Sequence, residues 1–353
     1  MITLAIILSL ALLGVILYLL FRIQVLSSVF RGSFNKRVST SNRVNAILFI
    51  LFLILGMGAF IWSFGVAKKD FTQPVASVHG KWIDDMFWTT MAVIGIVFFI
   101  TQVLLFVYSY RYQYKENRKA YYYPHNNRLE VFWTLIPAIV MAVLVFSGWK
   151  AWSKITNPAP ADAVVVEILG KQFNWLVRYP GKDNELGTVK HTLIDASNEF
   201  GYDVRDKKAL DDIVQPTEFH IPKGKPVLFK IRSRDVIHDV WQPNWNVQMH
   251  AVPGMPTKFW FVPTKTTAEM ATETGNPDFK YEIACSQICG QGHFAMRIVV
   301  IVDEPEDYET WLAAQKPFSE TGAELFAKAS ETPAAIVSAE KKEIKTEEVK
   351  AAL

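Results

Sequence analysis

Four long stretches without a charged side chain constrain this sequence more than any other feature. They cover residues 2–21, 45–66, 87–110 and 131–149, and none of them contains Asp, Glu, Lys or Arg. A helix of about 20 residues spans about 30 Å, which is the thickness of the hydrocarbon core of a bilayer. The sequence therefore predicts four transmembrane helices, and it excludes a purely cytosolic protein.

Composition shows that the rest of the chain is water-soluble. Charged residues make up 20% of the whole sequence, but outside the four stretches their density reaches the value of about 25% that is typical of soluble proteins. The formal net charge of +3 is too small to indicate a nucleic-acid partner. Only two cysteines are present, so a disulfide framework is excluded.

The charges of the loops predict the orientation in the membrane. Residues 22–44 carry five basic residues and no acidic one, residues 111–130 carry five against two, and residues 67–86 carry three of each. Because basic loops stay in the cytoplasm, we expect the soluble part, from about Lys150 onward, to lie outside. A cleaved signal peptide is the alternative interpretation of the first stretch, but this stretch lacks a basic start and its apolar run is too long. We therefore favour an uncleaved helix.

Short β-rich runs begin at Val164. Each contains five to seven residues, is rich in Val, Ile, Phe, Tyr and Trp, and is bounded by Gly, Pro, Asp or Asn, as expected of strands. These runs are residues 164–169, 174–179, 217–221, 226–232, 258–263, 280–284 and 296–302. Strands without intervening helices predict a β-sandwich or barrel. The polar residues 181–212 predict a surface insertion, and residues 318–353 predict an exposed helical or disordered tail.

Both cysteines lie in one motif, Cys285-x-x-x-Cys289-x-x-x-His293-x-x-Met296. A redox disulfide usually has the shorter spacing CxxC. Structural zinc prefers Cys and His and rarely recruits a thioether, whereas thiolate, imidazole and a weak Met form the ligand set of copper. We therefore interpret Met296 as a ligand and the motif as a copper site.

A second imidazole is needed, and His238 is the best candidate because it follows a predicted strand. Spacing alone leaves His191, His220 and His250 open as alternatives. A mononuclear blue-copper site uses one Cys, so two thiolates with two imidazoles favour two copper ions that share bridging sulfurs. With no open position, such a site transfers electrons and does not bind a substrate.

At these residues the sequence resembles subunit II of the haem–copper cytochrome c oxidases, over residues 87–302. The resemblance rests on the helix hairpin, on Glu-x-x-Trp-Thr-x-x-Pro beginning at Glu130, on Asp-Val-x-His ending at His238, on Pro253-Gly254 and on the cysteine motif. It implies an α+β membrane protein with a cupredoxin-like sandwich that holds a binuclear copper centre, CuA. The implied ligands are His238, Cys285, the backbone carbonyl of Gln287, Cys289, His293 and Met296.

The resemblance also implies a role and a location. Subunit II accepts electrons from cytochrome c and passes them to haem in subunit I, where oxygen is reduced to water and protons are pumped; subunit III is a further partner. The implied location is a bacterial cytoplasmic membrane, with the copper domain on the periplasmic side. Glu130 matches a carboxylate at the inner mouth of a proton path, although a carboxylate also suits any helix N-terminus.

Several positions depart from the family pattern. Gln287, Gln248 and His250 stand where the family usually has Glu, Lys and Asp. Because loss of a carboxylate weakens a hard-cation site, these residues do not support the family's magnesium ion at the subunit interface. Phe173 replaces the tryptophan through which electrons enter, and Trp175 matches a second family tryptophan. We therefore expect a donor held nearby, such as a membrane-tethered cytochrome c domain in a respiratory supercomplex.

The implied domains are two extra helices (1–66), a helix hairpin (67–150), the copper domain (151–305) and a tail (306–353).

Three other functions fit this sequence less well. A quinol oxidase subunit II has generally lost the copper ligands, a copper-delivery protein needs exchangeable ligands, and the CuA domain of nitrous oxide reductase is not built on a helix hairpin. No CxxCH motif occurs, so no haem is expected on this chain.

Overall fold

The computed structural model describes residues 2–31, 40–71, 73–115, 117–323 and 325. Four long helices come first, and all four are long and apolar enough to cross a membrane. They are α1 (Ile2–Phe30), α2 (Thr40–Phe71), α3 (Val78–Arg111) and α4 (Asn127–Thr156). The four predicted transmembrane helices are thereby confirmed, and each extends past its charge-free stretch because polar flanking residues continue the same helix.

A β-sandwich of two five-stranded sheets follows. Its strands are β1 (Val164–Lys171), β2 (Asn174–Tyr179), β3 (Ile213–Gln215), β4 (Glu218–Pro222), β5 (Val227–Ser233), β6 (His238–Gln242), β7 (Val247–Ala251), β8 (Thr257–Phe261), β9 (Tyr281–Cys285) and β10 (Arg297–Asp303). The first sheet has the order β3-β2-β1-β5-β8 and the second the order β4-β10-β9-β6-β7. The predicted sandwich is confirmed.

Aromatic side chains fill the space between the sheets. Trp175, Trp245, Phe229 and Phe261 are fully buried, and the ring of Trp245 stacks on that of Phe261 with centroids 4.9 Å apart. Burying one such side chain contributes about 1.5–3 kcal/mol. This core fixes the strands that carry the cysteines.

Three strands were not predicted. Strand β3 has only three residues, and β6 and β7 carry polar residues such as Asp239, Gln248 and His250 that interrupt the apolar pattern. Pairing of β6 with both β7 and β9 decides their conformation. Tertiary pairing therefore overrides the local pattern here.

The polar insertion at residues 181–212 has a small core of its own. Phe200 and Tyr202 are buried there against β1 and β2. The guanidinium of Arg178 lies 5.0 Å from the Tyr202 ring centroid, and it forms ion pairs with Glu167 and Asp212. The insertion is thus anchored to the sandwich by a buried ionic cluster.

Helix α5 (Thr267–Thr274) lies between β8 and β9. Two more helices, α6 (Pro305–Ala313) and α7 (Phe318–Thr321), follow β10 and begin the predicted tail. The ring of Phe318 stacks on that of Tyr202 with centroids 4.2 Å apart. The start of the tail is therefore packed on the insertion. The prediction for residues 326–353 lies outside the described residues.

The sandwich unit is discontinuous in the sequence. It comprises Gln73–Phe87 together with the chain from Val143 onward, whereas residues 88–142 group with the N-terminal helices. Within this unit the Ala76 N–H donates to the Asn244 carbonyl at 2.7 Å, and the Ser77 hydroxyl donates to the Trp245 carbonyl at 2.8 Å. The domain boundaries given by the resemblance, residues 66/67 and 150/151, remain predictions.

Candidate metal centre

The pairing of β6 with β9 brings three candidate ligands together. His238 begins β6 and Cys285 ends β9, and the two strands are in register at Val240 and Cys285. The ligand atoms of His238, Cys285 and Cys289 all lie within 4.8 Å of one another. The Cys285 N–H donates to the Met296 carbonyl at 3.0 Å, which closes the loop of residues 286–295 and returns Met296 to the same place.

Each cysteine sulfur has its own imidazole. The Nδ1 of His238 lies 3.9 Å from the Sγ of Cys285, and the Nδ1 of His293 lies 3.6 Å from the Sγ of Cys289. The two sulfurs are 3.9 Å apart. The thioether sulfur of Met296 lies 3.8 Å from Cys289. The arrangement therefore consists of two similar halves that share a pair of thiols.

The carbonyl oxygen of Gln287 also faces the site, 3.1 Å from the Sγ of Cys285. All six residues that the resemblance implies as ligands are thus adjacent, and His238, Cys285, Cys289 and Met296 are buried. Their roles as ligands remain predictions. The structure separates the alternative imidazoles from this cluster: the ring of His220 stacks on Trp311 at 4.1 Å, and His191 and His250 are exposed.

The donor set fits a soft metal ion. The cysteines are free thiols, and their sulfurs are much farther apart than the bond of about 2.05 Å in a disulfide. Burial, and then the neighbouring sulfur of Cys285, raises the pKa of the Cys289 thiol to about 11. Loss of the protons from both buried thiols therefore requires a compensating positive charge beside the sulfurs. Because metal–thiolate bonds are about 2.3 Å long in zinc sites, one ion could contact both sulfurs.

Asp235 is a candidate positioning residue for which the sequence predicted no role. Its Oδ1 lies 2.8 Å from the Nε2 of His238, and its Oδ2 accepts the N–H of Gln172 at 2.8 Å. Partial burial raises the pKa of Asp235, but the hydrogen bonds from Gln172 and His238 hold that pKa below its usual value. The carboxylate thereby orients the ring so that Nδ1 faces Cys285, as outer partners of metal-binding histidines do. In the sequence Asp235 is the first residue of the Asp-Val-x-His run that ends at His238.

Phe173 and Trp175 occupy different environments. The ring of Phe173 covers Gly290 and Gly292, where a Cβ on Gly292 would lie 2.5 Å from the Phe173 Cγ, and 37% of its surface is exposed. Trp175 is fully buried, with its ring edge-on to His238 at 5.8 Å. Phe173 is thus the ring at the protein surface, whereas Trp175 supports a candidate ligand from the core.

Two further carboxylates have contacts within the protein, Asp239 beside His238 and Glu130 in α4. The Oδ2 of Asp239 accepts from Ser286 at 2.5 Å and from Gln248 at 2.9 Å, whereas its Oδ1 is buried without a hydrogen-bond partner among the described residues. Glu130 is exposed in the first turn of α4, where its carboxylate accepts from the Asn126 N–H at 3.3 Å. Neither contact assigns a magnesium site or a proton path.

Comparison with known proteins identifies the family. Residues 67–150 match the transmembrane domain of cytochrome c oxidase subunit II, and residues 164–302 match its periplasmic domain. The chain is 34% identical to an alternative cytochrome c oxidase subunit 2 of Bradyrhizobium diazoefficiens, over 76% of this chain and 92% of that protein. It is 29% identical to cytochrome c oxidase subunit 2 of Thermostichus vulcanus, over 73% and 83%, and 28% identical to that of Cereibacter sphaeroides, over 70% and 79%. The chain belongs to the cytochrome c oxidase subunit II family.

Proposed function

We propose that electrons reach haem in partner subunit I through a binuclear copper centre on this chain, and that oxygen reduction there is coupled to proton pumping. As a member of its family, the chain is a multi-pass membrane protein that transfers electrons from cytochrome c within a haem–copper terminal oxidase. The proposal concerns the path, the metal and the coupling. The observation that carries it is the pair of thiols 3.9 Å apart, each with its own imidazole.

The residues that would hold the two copper ions are those of the candidate centre, with the carbonyl of Gln287 in place of a side-chain ligand. Bound copper would supply a one-electron carrier. The protein contributes a ligand set that is fixed before any electron arrives: His238 is held by Asp235, and the Gln172 side chain donates to the Cys289 carbonyl at 2.6 Å. Fixed ligands keep the change in geometry between oxidation states small, which favours rapid electron transfer.

The experiment that tests this proposal is purification of the oxidase from its native membrane, followed by a metal count and identification of the other subunits. We expect two copper atoms per chain, a purple protein, and subunit I as partner. A colourless protein containing zinc, or one copper per chain, would contradict the binuclear centre. Copper delivery is the weaker alternative, because the sulfurs are buried and exchange with a partner needs accessible ligands.

Replacing Met296 by leucine tests the weakest ligand. Leucine has similar volume and fills the same buried position, but it lacks the sulfur that lies 3.8 Å from Cys289. Since weak axial ligands tune the potential of copper centres, we expect Met296→Leu to retain copper and to shift the reduction potential, with a moderate loss of turnover. Potentiometric titration followed in the visible spectrum measures the shift, and an unchanged potential would remove Met296 from the ligand set.

The orientation predicted from the loop charges places the copper domain on the periplasmic side of a bacterial cytoplasmic membrane. A reporter active only outside the cytoplasm should be active when fused after Leu353 and inactive when inserted in residues 111–130. The opposite pattern would place the copper domain on the side away from a periplasmic donor. The control for correct insertion is the oxidase activity of each fusion, compared with that of the untagged chain.

Two further roles complete the proposal. Phe173, the exposed ring that covers the ligand loop, would be the point where electrons enter, and Trp175 would hold the ring of His238 in place. Glu130 would serve proton uptake for the partner subunit. These assignments are supported by the family resemblance, by the exposure of the Phe173 ring and by the contact between Trp175 and His238.

A further inference from the structure

A basic groove of about 1090 Å³ lies beside the candidate metal centre. Its walls come from β5, β8, the insertion and the loop between β7 and β8. Five cationic side chains line it, namely Lys190, Lys230, Arg232, Arg234 and Lys258, and Glu167 is its only acidic lining residue. Glu167 is buried and already paired with arginine. The groove therefore presents positive charge to the solvent.

The charge is concentrated at one pair of lysines. Lys230 and Lys258 are direct cross-strand partners on β5 and β8, and both are exposed. Three other cations of the groove have carboxylate partners: Lys190 with Asp203, Arg232 with Glu167, and Arg234 with Glu199. Among the described residues no ion pair involves either of the two lysines. Like charges placed directly opposite each other are destabilising, and an anionic group between them would remove that cost.

The groove also offers apolar contact. The side chain of Met255 is 57% exposed, and Pro253, Pro256 and Ile194 line the same surface. An apolar floor with charges at the rim is the usual composition of a protein–protein interface. Inorganic phosphate would use the lysines alone and leave Met255 in water. The lining therefore favours a protein surface as the occupant.

One wall of the groove continues into the metal centre. Ser233 bridges to Pro253, the Arg234 N–H donates to the Gly170 carbonyl at 2.9 Å, and the next residue is Asp235, which holds His238. A Cβ on Gly170 would lie 2.9 Å from the His238 ring. A protein seated in the groove would thus stand beside a candidate ligand.

We infer that this groove docks an acidic face of the donor, a cytochrome c domain with negative charge around its haem edge. The inference rests on the proposed function and specifies the donor that the function requires. Opposite charges steer association and raise its rate, and the effect weakens as salt screens it. The lysine pair supplies the steering, and Met255 with the prolines supplies the contact.

The test uses the assembled oxidase and two soluble cytochromes c, one of net negative and one of net positive charge. Steady-state turnover is measured between ionic strengths of about 10 mM and about 150 mM. Wild-type oxidase should have the lower KM for the acidic donor, and this KM should rise with salt. Lys230→Glu/Lys258→Glu should raise the KM for the acidic donor about tenfold and remove most of its salt dependence, with kcat at saturation and copper content unchanged.

The control is Lys182→Glu, a charge reversal at an exposed position of the insertion that does not line the groove. It should leave the KM within about twofold of the wild-type value. A double variant with unchanged KM, or a wild-type oxidase that prefers the basic donor, would overturn the docking site while the copper assignment stands. The double variant in reconstituted vesicles tests the lipid alternative. If its KM for the acidic donor is unchanged while its turnover no longer depends on anionic phospholipid, the docking site is overturned and the groove binds lipid headgroups. If the copper-containing wild type oxidises neither cytochrome, the proposed function itself fails.

Discussion

Cys285→Ser and Cys289→Ser should each abolish the copper centre and reduce turnover with cytochrome c to background. Each sulfur lies within 4 Å of the other and of an imidazole, so either substitution removes a ligand from both halves of the arrangement. A hard hydroxyl is a poor replacement for a soft thiolate as a ligand of copper. Copper content per chain, the visible spectrum and oxygen uptake with cytochrome c measure the effect.

The matched control is His250→Ala. This exposed histidine was one of the alternatives left open by the spacing, and its cross-strand partner is Asp239. It should retain both copper atoms and normal turnover, whereas His238→Ala should lose the centre. A Cys variant that kept two coppers and full turnover would show that the thiols do not bind the metal.

Arg178→Met should be among the most destabilising single substitutions in the sandwich. Arg178 is 2% exposed, and its guanidinium lies between Glu167 and Asp212 while also donating to the Gly187 carbonyl at 2.9 Å. Removing the cation leaves carboxylates buried without it, which costs about 3–5 kcal/mol of unfolding free energy. Near-ultraviolet circular dichroism of the full chain in detergent, recorded against denaturant, measures the loss.

The control is Arg205→Met, which removes an arginine whose side chain is 73% exposed and paired with Asp203. An exposed pair contributes about 0–1 kcal/mol, so the difference between the two variants isolates burial. Adding Glu167→Gln and Asp212→Asn to Arg178→Met should recover part of the stability, because the buried charges are then gone. Equal stability of the two arginine variants would show that the buried cluster contributes little.

Much of the fold follows from local pattern, and the metal centre only partly does. Helices α1–α4 were predicted because absence of charge over 20 residues is a strong local signal, and the strand at Asn174–Tyr179 was predicted to the residue. The motif around Cys285 predicted a set of candidate ligands for the same reason, since these residues lie within twelve positions of one another. The choice of His238 among four histidines depends on pairing of β6 with β9, which spacing does not encode.

The missed features depend on contacts between distant segments. The Gln172 N–H donates to the Asp235 carboxylate across 63 residues, a contact that exists only after β1 and β5 have paired. Likewise, Phe200 and Tyr202 are isolated among polar residues in the sequence, so the insertion was predicted as surface. Their burial comes from Arg178 and from Phe318, which is 116 residues away from Tyr202 in the chain. Local composition does not contain this information.

The discontinuity of the sandwich unit has a consequence for biosynthesis. The hydrogen bond between Ser77 and Trp245 joins residues 168 positions apart, so it forms only after most of the β domain has been synthesised. Until then Ala76, Ser77 and His79, which are buried in the finished protein, are exposed to water. Closing so long a loop is slow compared with forming a helix. The contacts of Ala76 and Ser77 with the Trp245 turn therefore form late, once the strands on either side of that turn have been synthesised.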